Sequence, residues 1–334
     1  MDPKINELYN DEILAEVSTR FEINVDALTA LDGFESYIYS YEKNGKGYIL
    51  RVGHSSHRDA NAVQGEAEFI DYLGANGINV GRPVRDANGN LVEAIPAEEG
   101  EFVAVVFEKV PGEEPDDHVW DDGTLMKKLG RMLAKMHVLT QEFEPSAEQY
   151  RRLDWDEDNE IVMGLMHKGL PEDEAAEVAQ RYQALVDQVN ELPRTKEHFG
   201  LVHFDVHDGN FFLHRGEIQL FDFDDCLYTW FANDIAMVIY YATSEIRDDA
   251  EQLKFQITQF IEGYNEISTF NPLWLEYIPA FLMMRRWDLY ARVHTDFITE
   301  EWDEWVTQFI NQIREKQLIG KQPILVLDFK ELTA

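Results

Sequence analysis

The chain has 334 residues, 45% of them hydrophobic, and 29 Lys and Arg against 64 Asp and Glu give it a formal net charge of −35. That length suits one large or two smaller globular domains, and that charge opposes binding to nucleic acid or to anionic membranes while favouring cationic small molecules or a saline habitat. No apolar run nears the roughly 20 residues of a membrane span, the start Met-Asp-Pro-Lys-Ile-Asn-Glu lacks the basic and apolar parts of a secretory signal, and the single cysteine, Cys226, excludes an intrachain disulfide and fits a reducing, cytoplasmic setting.

Taken in order, the pattern first predicts a helix over Asp11–Arg20, with Ile13, Leu14 and Val17 on one face. A turn at Leu31-Asp-Gly-Phe-Glu-Ser leads into the alternating strand Tyr-Ile-Tyr-Ser-Tyr. Lys43-Asn-Gly-Lys-Gly is a hairpin turn, and Tyr48-Ile-Leu-Arg-Val is the returning strand, with Arg51 inside it. The stretch from Val63 reads as a helix that turns Phe69, Ile70 and Leu73 inward and carries the carboxylates Glu66 and Glu68. Val80–Val84, Leu91–Ile95 and Phe102–Phe107 read as further strands, separated by turns at Asp86-Ala-Asn-Gly-Asn and Glu98-Glu-Gly-Glu. This predicts a five-stranded antiparallel layer with one helix, ended by the break Glu108-Lys-Val-Pro-Gly.

From Thr124 the period becomes helical, with Leu125, Leu129, Met132, Leu133 and Met136 in one stripe and His137 at its end as a core histidine. Tyr150–Met166 reads as irregular and acidic, and Pro171-Glu-Asp-Glu opens an amphipathic helix. Helices are expected over Ile235–Tyr241, Ala250–Tyr264, Leu273–Val293 and Glu301–Leu318, whose Trp274, Trp287, Tyr290, Trp302 and Trp305 sit at the spacing of core residues. The apolar tail Pro323-Ile-Leu-Val-Leu-Asp-Phe has no placement from sequence.

The chemistry concentrates between Gly200 and Ala242. Two short apolar runs flank a turn at His214-Arg215-Gly216 and predict a hairpin. His203, Asp205 and Asn210 precede it, and Asp222, Asp224 and Asp225 follow it. Oxygen donors of this kind suit a hard cation such as Mg²⁺, which typically takes one or two carboxylates plus substrate phosphates. A metallohydrolase built on His203 and His207 is the competing reading, but neither His198 nor His214 completes a ligand spacing.

The run His203-Phe-Asp-Val-His-Asp-Gly-Asn, followed by Asp222-Phe-Asp, resembles the catalytic core of kinase-like phosphotransferases. In its second histidine, His207, and its Asp-x-Asp it resembles the aminoglycoside phosphotransferase and choline kinase family. The resemblance implies a two-lobe, protein-kinase-like α+β fold: an antiparallel-sheet nucleotide-binding lobe at 1–107, a hinge at 108–112 and a mainly helical catalytic and acceptor-binding lobe at 113–334. It implies transfer of the γ-phosphoryl group of ATP, with GTP left open, to a hydroxyl of a small molecule. Asp205 would act as the base and Asn210 and Asp222 as the Mg²⁺ ligands. Arg51 would stand in the place of the phosphate-gripping strand lysine, with Glu66 as its partner. Gly33 and Ser36 loosely match the phosphate-covering loop, and the backbone of Glu108 and Val110 would hold the adenine edge in front of Phe107. His203 and Asp234 would brace the catalytic loop, with Asp224 and Asp225 on the metal or acceptor side. The family's amino-sugar and choline-like acceptors, together with Asp224 and Asp225 beside the metal ligands and Glu245, Asp248 and Asp249 after them, point to a cationic acceptor. A serine/threonine protein kinase is disfavoured by the short span between Asp222 and Asp234, which leaves little room for a peptide-docking segment. A nucleotide-binding pseudokinase regulator is disfavoured by the intact Asp205, Asn210 and Asp222. No nucleic-acid or membrane partner is expected, and the oligomeric state is open.

Overall fold

A computed structural model describes residues 3–33, 35–120, 122–296 and 302–332. These fall into two compact units. Unit 1 comprises 1–114, 142–152 and 209–226; unit 2 comprises 115–141, 153–208 and 227–334. The boundary at Asp208/Gly209 cuts the predicted catalytic stretch in two.

Unit 1 opens with helices α1 (Pro3–Leu8) and α2 (Asp11–Arg20), the second as expected. Asn10 caps α2, its side-chain oxygen accepting from the amides of Glu12 and Ile13, which satisfies two of the donors a helix start leaves open. The sheet runs β1 (Thr29–Leu31), β2 (Tyr37–Lys43), β3 (Lys46–His54), then α3 (Ala60–Ala75), β4 (Pro83–Val84), β5 (Val92–Pro96) and β6 (Glu101–Glu108). β6 pairs with β3 on one side, while β4 and β5 follow one another along its other edge. The sheet therefore has six strands rather than five. The extra one, β1, is exposed along its whole length and too short to show an alternating pattern. One face of the sheet buries Leu50, Val52, Phe102, Ala104 and Val106 against Ile5, Val17 and Phe21, and the other buries Val103 and Val105 against Val63 and Ala67 of α3.

The first long helix of unit 2 is α4 (Thr124–Thr140), which buries Leu125, Leu129, Leu133 and Met136 of the predicted stripe and half-buries its Met132. Where the sequence reads as irregular, the structure forms α5 (Trp155–Leu165). Its start is a capping box: Asp154 accepts from the amides of Asp156 and Glu157, and Glu157 accepts from the Asp154 amide. That reciprocal pair overrides the polar composition. α6 (Glu172–Val189) follows as predicted, then β7 (Phe199–Val202). The hairpin β8 (Phe211–His214) and β9 (Glu217–Leu220) belongs to unit 1. Its two-residue loop, Arg215-Gly216, has φ of 52° and 80°, the positive pair that a tight primed turn demands and that glycine supplies without strain.

β10 (Leu227–Trp230) returns to pair antiparallel with β7 in unit 2 and runs directly into α7 (Phe231–Ala242). Helices α8 (Ala250–Asn265), α9 (Ile278–Asp296) and α10 (Glu304–Ile313) complete the unit. The expected start of the last helix, Glu301, lies outside the described residues. α4 and α8 approach so closely that a Cβ on Gly130 would stand 2.0 Å from the Phe260 carbonyl oxygen, and one on Gly263 would stand 1.9 Å from that of Lys127. Trp274, Trp287 and Tyr290 are buried as predicted, but Trp305 is 68% exposed and stacks on Phe309. The tail packs in unit 2: Ile324, Leu325 and Phe329 are buried, and the Val326 amide donates to the Arg247 carbonyl oxygen. Among the described residues no helix is long and apolar enough to cross a membrane.

Candidate active site

Unit 1 gathers one set of the predicted residues around Arg51. The register of β2, β3 and β6 places Arg51 opposite Ile38 and Val105, and α3 brings Glu66 to it. Nη1 donates to Oε1 at 2.9 Å and Nη2 to Oε2 at 2.5 Å, a two-bond fork of the kind guanidinium forms with carboxylate. Glu68 points elsewhere, accepting from the amide and hydroxyl of Ser146. The guanidinium also lies 3.7 Å from Asp224 and 5.4 Å from the centre of the Phe107 ring.

Asp222 follows β9 in the left-handed region, at φ 61°, a conformation Asp tolerates better than most residues. Burial pushes its carboxyl up to about 6. Arg51 pulls it down, but Asp224, Glu66 and Asp225 add to the rise. Asn210 is buried, and its carbonyl oxygen accepts from the Phe221 amide, tying it to the residue beside Asp222. A buried carboxylate crowded by three others is the kind of hard-oxygen donor that suits a divalent cation, and the main-chain bond from Phe221 keeps Asn210 on the adjoining stretch.

Several residues of this cluster had no signal in sequence. His57 Nε2 lies 2.7 Å from both Asp224 Oδ2 and Glu35 Oε2. Burial alone would lower its pKa, yet these two carboxylates lift it to about 9. Arg58 pairs with Asp225 at 3.1 Å. Arg152, also buried, donates to the carbonyl oxygens of Cys226, Ala62 and Asp224. Asp224 and Asp225 therefore already have cationic partners. Burial would raise the Asp224 pKa, but His57, Arg51 and Arg58 outweigh it and hold the carboxyl well below the usual range. Cys226 is packed away, and burial pushes its thiol up to about 12.

The remaining unit 1 residues lie around the sheet. Ser36, at the bend before β2, sets its hydroxyl 3.0 Å from where a Cβ on Gly53 would stand, while a Cβ on Gly33 would meet the Ser36 carbonyl oxygen. Glu108 ends β6 with its amide donating to the Arg82 carbonyl oxygen, and Val110 sits two residues on, near Gly81.

Unit 2 holds the loop that carries Asp205. It leaves β7 at Val202 and is braced from α7, because β10 delivers α7 beside it. Phe204 adopts φ 70°, a strained conformation for a bulky side chain that costs about 1–3 kcal/mol. Asp234, fully buried, holds it there: Oδ1 accepts from the Phe204 amide at 2.9 Å and Oδ2 lies 2.9 Å from His137 Nε2. The other ring nitrogen of His137 meets the Tyr264 hydroxyl at 2.9 Å. His203 is buried too, and its Nδ1 accepts from the Asp205 amide at 3.2 Å. The Asp205 side chain meets Arg285 of α9 at 2.7 Å and His207 at 3.4 Å. Burial would raise the Asp205 pKa, but Arg285 and then His207 hold it well below the usual carboxylate range. Nothing in the sequence marks Arg285, which lies 80 positions after Asp205.

The sequence matches the phosphotransferase enzyme family over residues 27–270. The chain belongs to that family. It is a kinase-like phosphotransferase, and its two-lobed fold, with an antiparallel sheet followed by a largely helical part, is the family's. It is 34% identical to the amicoumacin kinase of Bacillus subtilis (strain 168) over 333 residues, covering 97% of this chain and 96% of that one. Among solved structures, it is similar to the amicoumacin kinase hAmiN in complex with AMP-PNP, Ca²⁺ and Ami, with a TM-score of 0.91, 33% identity and 100% of both chains covered. A microcompartment-associated aminopropanol kinase shares the fold, at a TM-score of 0.74 and 21% identity over 91% of this chain and 94% of that one.

Proposed function

We propose that this phosphotransferase moves the γ-phosphoryl group of ATP, with Mg²⁺, to a hydroxyl of a small, positively charged molecule, and that amicoumacin is the acceptor to test first. The observation that carries this reading is the identity above 30% to two amicoumacin kinases along essentially the whole chain. The AMP-PNP in one of them favours ATP over GTP. The charge of −35 favours a cationic acceptor, and the single cysteine suits work in a reducing cytoplasm.

In this reading residues 1–107 bind the nucleotide, 108–112 connect, and 113–334 bind the acceptor. The backbone of Glu108 and Val110 takes the adenine edge, and Ser36 caps the phosphates. Arg51 grips phosphate oxygens, and Glu66 keeps the guanidinium from folding onto other carboxylates. Asn210 and Asp222 would hold Mg²⁺, which neutralises charge on the phosphates when bound. Asp205 accepts a hydrogen bond from the acceptor hydroxyl. As the hydroxyl oxygen bonds to the γ-phosphorus and the bond to the β-phosphate oxygen breaks, the hydroxyl proton passes to Asp205 and ADP leaves. A carboxylate held strongly ionised is a weak base, so its first task is to orient the hydroxyl, and the proton moves late. His203 and Asp234 keep the loop in its strained form.

The test is a coupled ADP-release assay with amicoumacin, extended to amino alcohols, aminoglycosides, macrolides and sugars. Acceptor-dependent ADP release supports the reading. Release that no acceptor stimulates contradicts it.

A further inference from the structure

Unit 2 presses an arginine from a remote helix against the proposed base. Arg285 is 8% exposed. Its Nη2 donates to Asp205 Oδ1 at 2.7 Å and to the Tyr241 hydroxyl oxygen at 2.7 Å, and its Nε donates to that same oxygen at 3.2 Å. Its Nη1 donates to Asp288 Oδ2 at 3.3 Å, and Asp288 Oδ1 in turn accepts from Arg292 Nε at 2.7 Å. The guanidinium is thus fixed by Tyr241 of α7 and Asp288 of its own helix, and its Nη2 gives one N–H to Asp205.

The loop backbone does not depend on this contact. The Phe204 amide is held by Asp234 and the Asp205 amide by His203. Arg285 acts on the Asp205 side chain, and a planar fork anchored on two sides fixes the direction of a carboxylate as well as its charge. Asp205 Oδ2 lies 3.4 Å from His207 Nε2.

We propose that Arg285 is a positioning residue for phosphoryl transfer: by engaging Oδ1 it aims Oδ2 of Asp205 at the acceptor hydroxyl. This rests on the phosphotransferase reading of Asp205. The same contact keeps Asp205 ionised despite its burial. The other titratable groups that face this pair are His203 and His207 on the loop, Tyr241 on α7, Asp288 on α9, and Asp158 of α5 and Tyr182 of α6 across a cavity of about 20 Å³. Loss of Arg285 removes the largest of the charges that lower the Asp205 pKa and leaves burial, opposed by the weaker pull of His207, to raise it.

The experiment compares the full-length parent with Arg285→Gln and Arg285→Lys in acceptor phosphorylation, using ATP, Mg²⁺ and the acceptor on which the parent is active. For Arg285→Gln, kcat is expected to fall about 100-fold, the scale of a small misplacement of a reacting group, while KM for ATP stays within about twofold. The loss should be larger at about pH 5.5 than at about pH 8, because the acid limb moves up with the Asp205 pKa. Added guanidinium ion should restore part of kcat. Arg285→Lys keeps the charge without the fork, so kcat should be intermediate and the acid limb closer to the parent's. If Arg285→Gln does not fold, Arg285→Lys decides: lowered kcat with parental Mg-ATP affinity supports the proposal, and parental kcat overturns it. Parental kcat in a folded Arg285→Gln also overturns it, as does a loss that follows the folded fraction alone, with an unmoved pH profile and no guanidinium rescue. A parent that phosphorylates no acceptor overturns the underlying reading instead, which separates the two failures.

Discussion

Arg51 and Glu66 form a two-bond ion pair almost out of reach of water, with side chains 11% and 1% exposed. An exposed pair of this kind would be worth little, but here removing one partner strands a buried charge, at a cost of about 3–5 kcal/mol. Arg51→Ala is expected to lower stability by that order and to raise KM for ATP. Glu66→Ala should raise KM less, because Asp224 still offers Arg51 a carboxylate at 3.7 Å. A double-mutant cycle on nucleotide affinity should give a coupling above about 0.5 kcal/mol. Additive effects would show that Glu66 does not orient Arg51.

Asp205→Asn keeps the shape and removes the charge. It is expected to lower kcat by about 10²–10⁴-fold with nearly unchanged ATP affinity, and near-parental turnover would exclude Asp205 as the base. The substitution also reports on stability. Asp205 titrates lower in the folded protein than its ordinary value of 3.8, so its ion pairs stabilise the fold fully above that value and lose their effect as pH falls through the lower folded pKa. The stability gap between parent and Asp205→Asn should therefore narrow in strong acid, as Asp205 takes up a proton, and again as pH rises past the imidazole range, because Asp205 raises the His207 pKa and that part of the pair is lost when His207 deprotonates. A gap that does not change at either end would show that Asp205 is not held by these partners.

Much of this was legible in sequence because local chemistry and tertiary environment agreed. The Gly-containing turn fixed the hairpin β8–β9, the apolar stripe fixed α4, and the family resemblance picked Glu66 as the partner of Arg51. What stayed hidden was long-range or reciprocal. The capping box at Asp154 and Glu157 was readable but was masked by the acidic composition around it. His57, Arg58 and Arg152 converge on Asp224 and Asp225 from distant positions, and no period or motif encodes that convergence. Arg285 reaches Asp205 only through the packing of α9 in unit 2.

Removal of the divalent ion should abolish transfer, and Asn210→Ala and Asp222→Ala should each weaken nucleotide binding when Mg²⁺ is present and much less when it is chelated. Asp222→Ala should do more harm, because it brings a full charge to the cation and an amide does not. Titration of ATP with and without Mg²⁺ checks this. Parental Mg-ATP affinity in both variants would remove these residues from the metal site.

The acidic run after the hairpin is no longer a simple lure for a cationic acceptor, because Arg58 takes Asp225 and Arg51, His57 and Arg58 surround Asp224. If attraction comes from the overall charge of −35, KM for a cationic acceptor should rise with ionic strength. Asp225→Asn should leave that salt dependence unchanged. A flattened salt dependence in Asp225→Asn would return Asp225 to the acceptor, and KM independent of salt in the parent would assign the charge to the solvated surface.

The central claim is that a phosphoryl group passes from ATP to a hydroxyl of a small molecule. The most direct measurement follows phosphorus by NMR while the full-length protein turns over ATP, Mg²⁺ and amicoumacin. The account expects ADP and a new phosphate monoester on the acceptor to appear together in equal amounts, with neither formed by Asp205→Asn at a comparable rate. ADP accompanied by inorganic phosphate, with the acceptor unchanged throughout the panel, would contradict it.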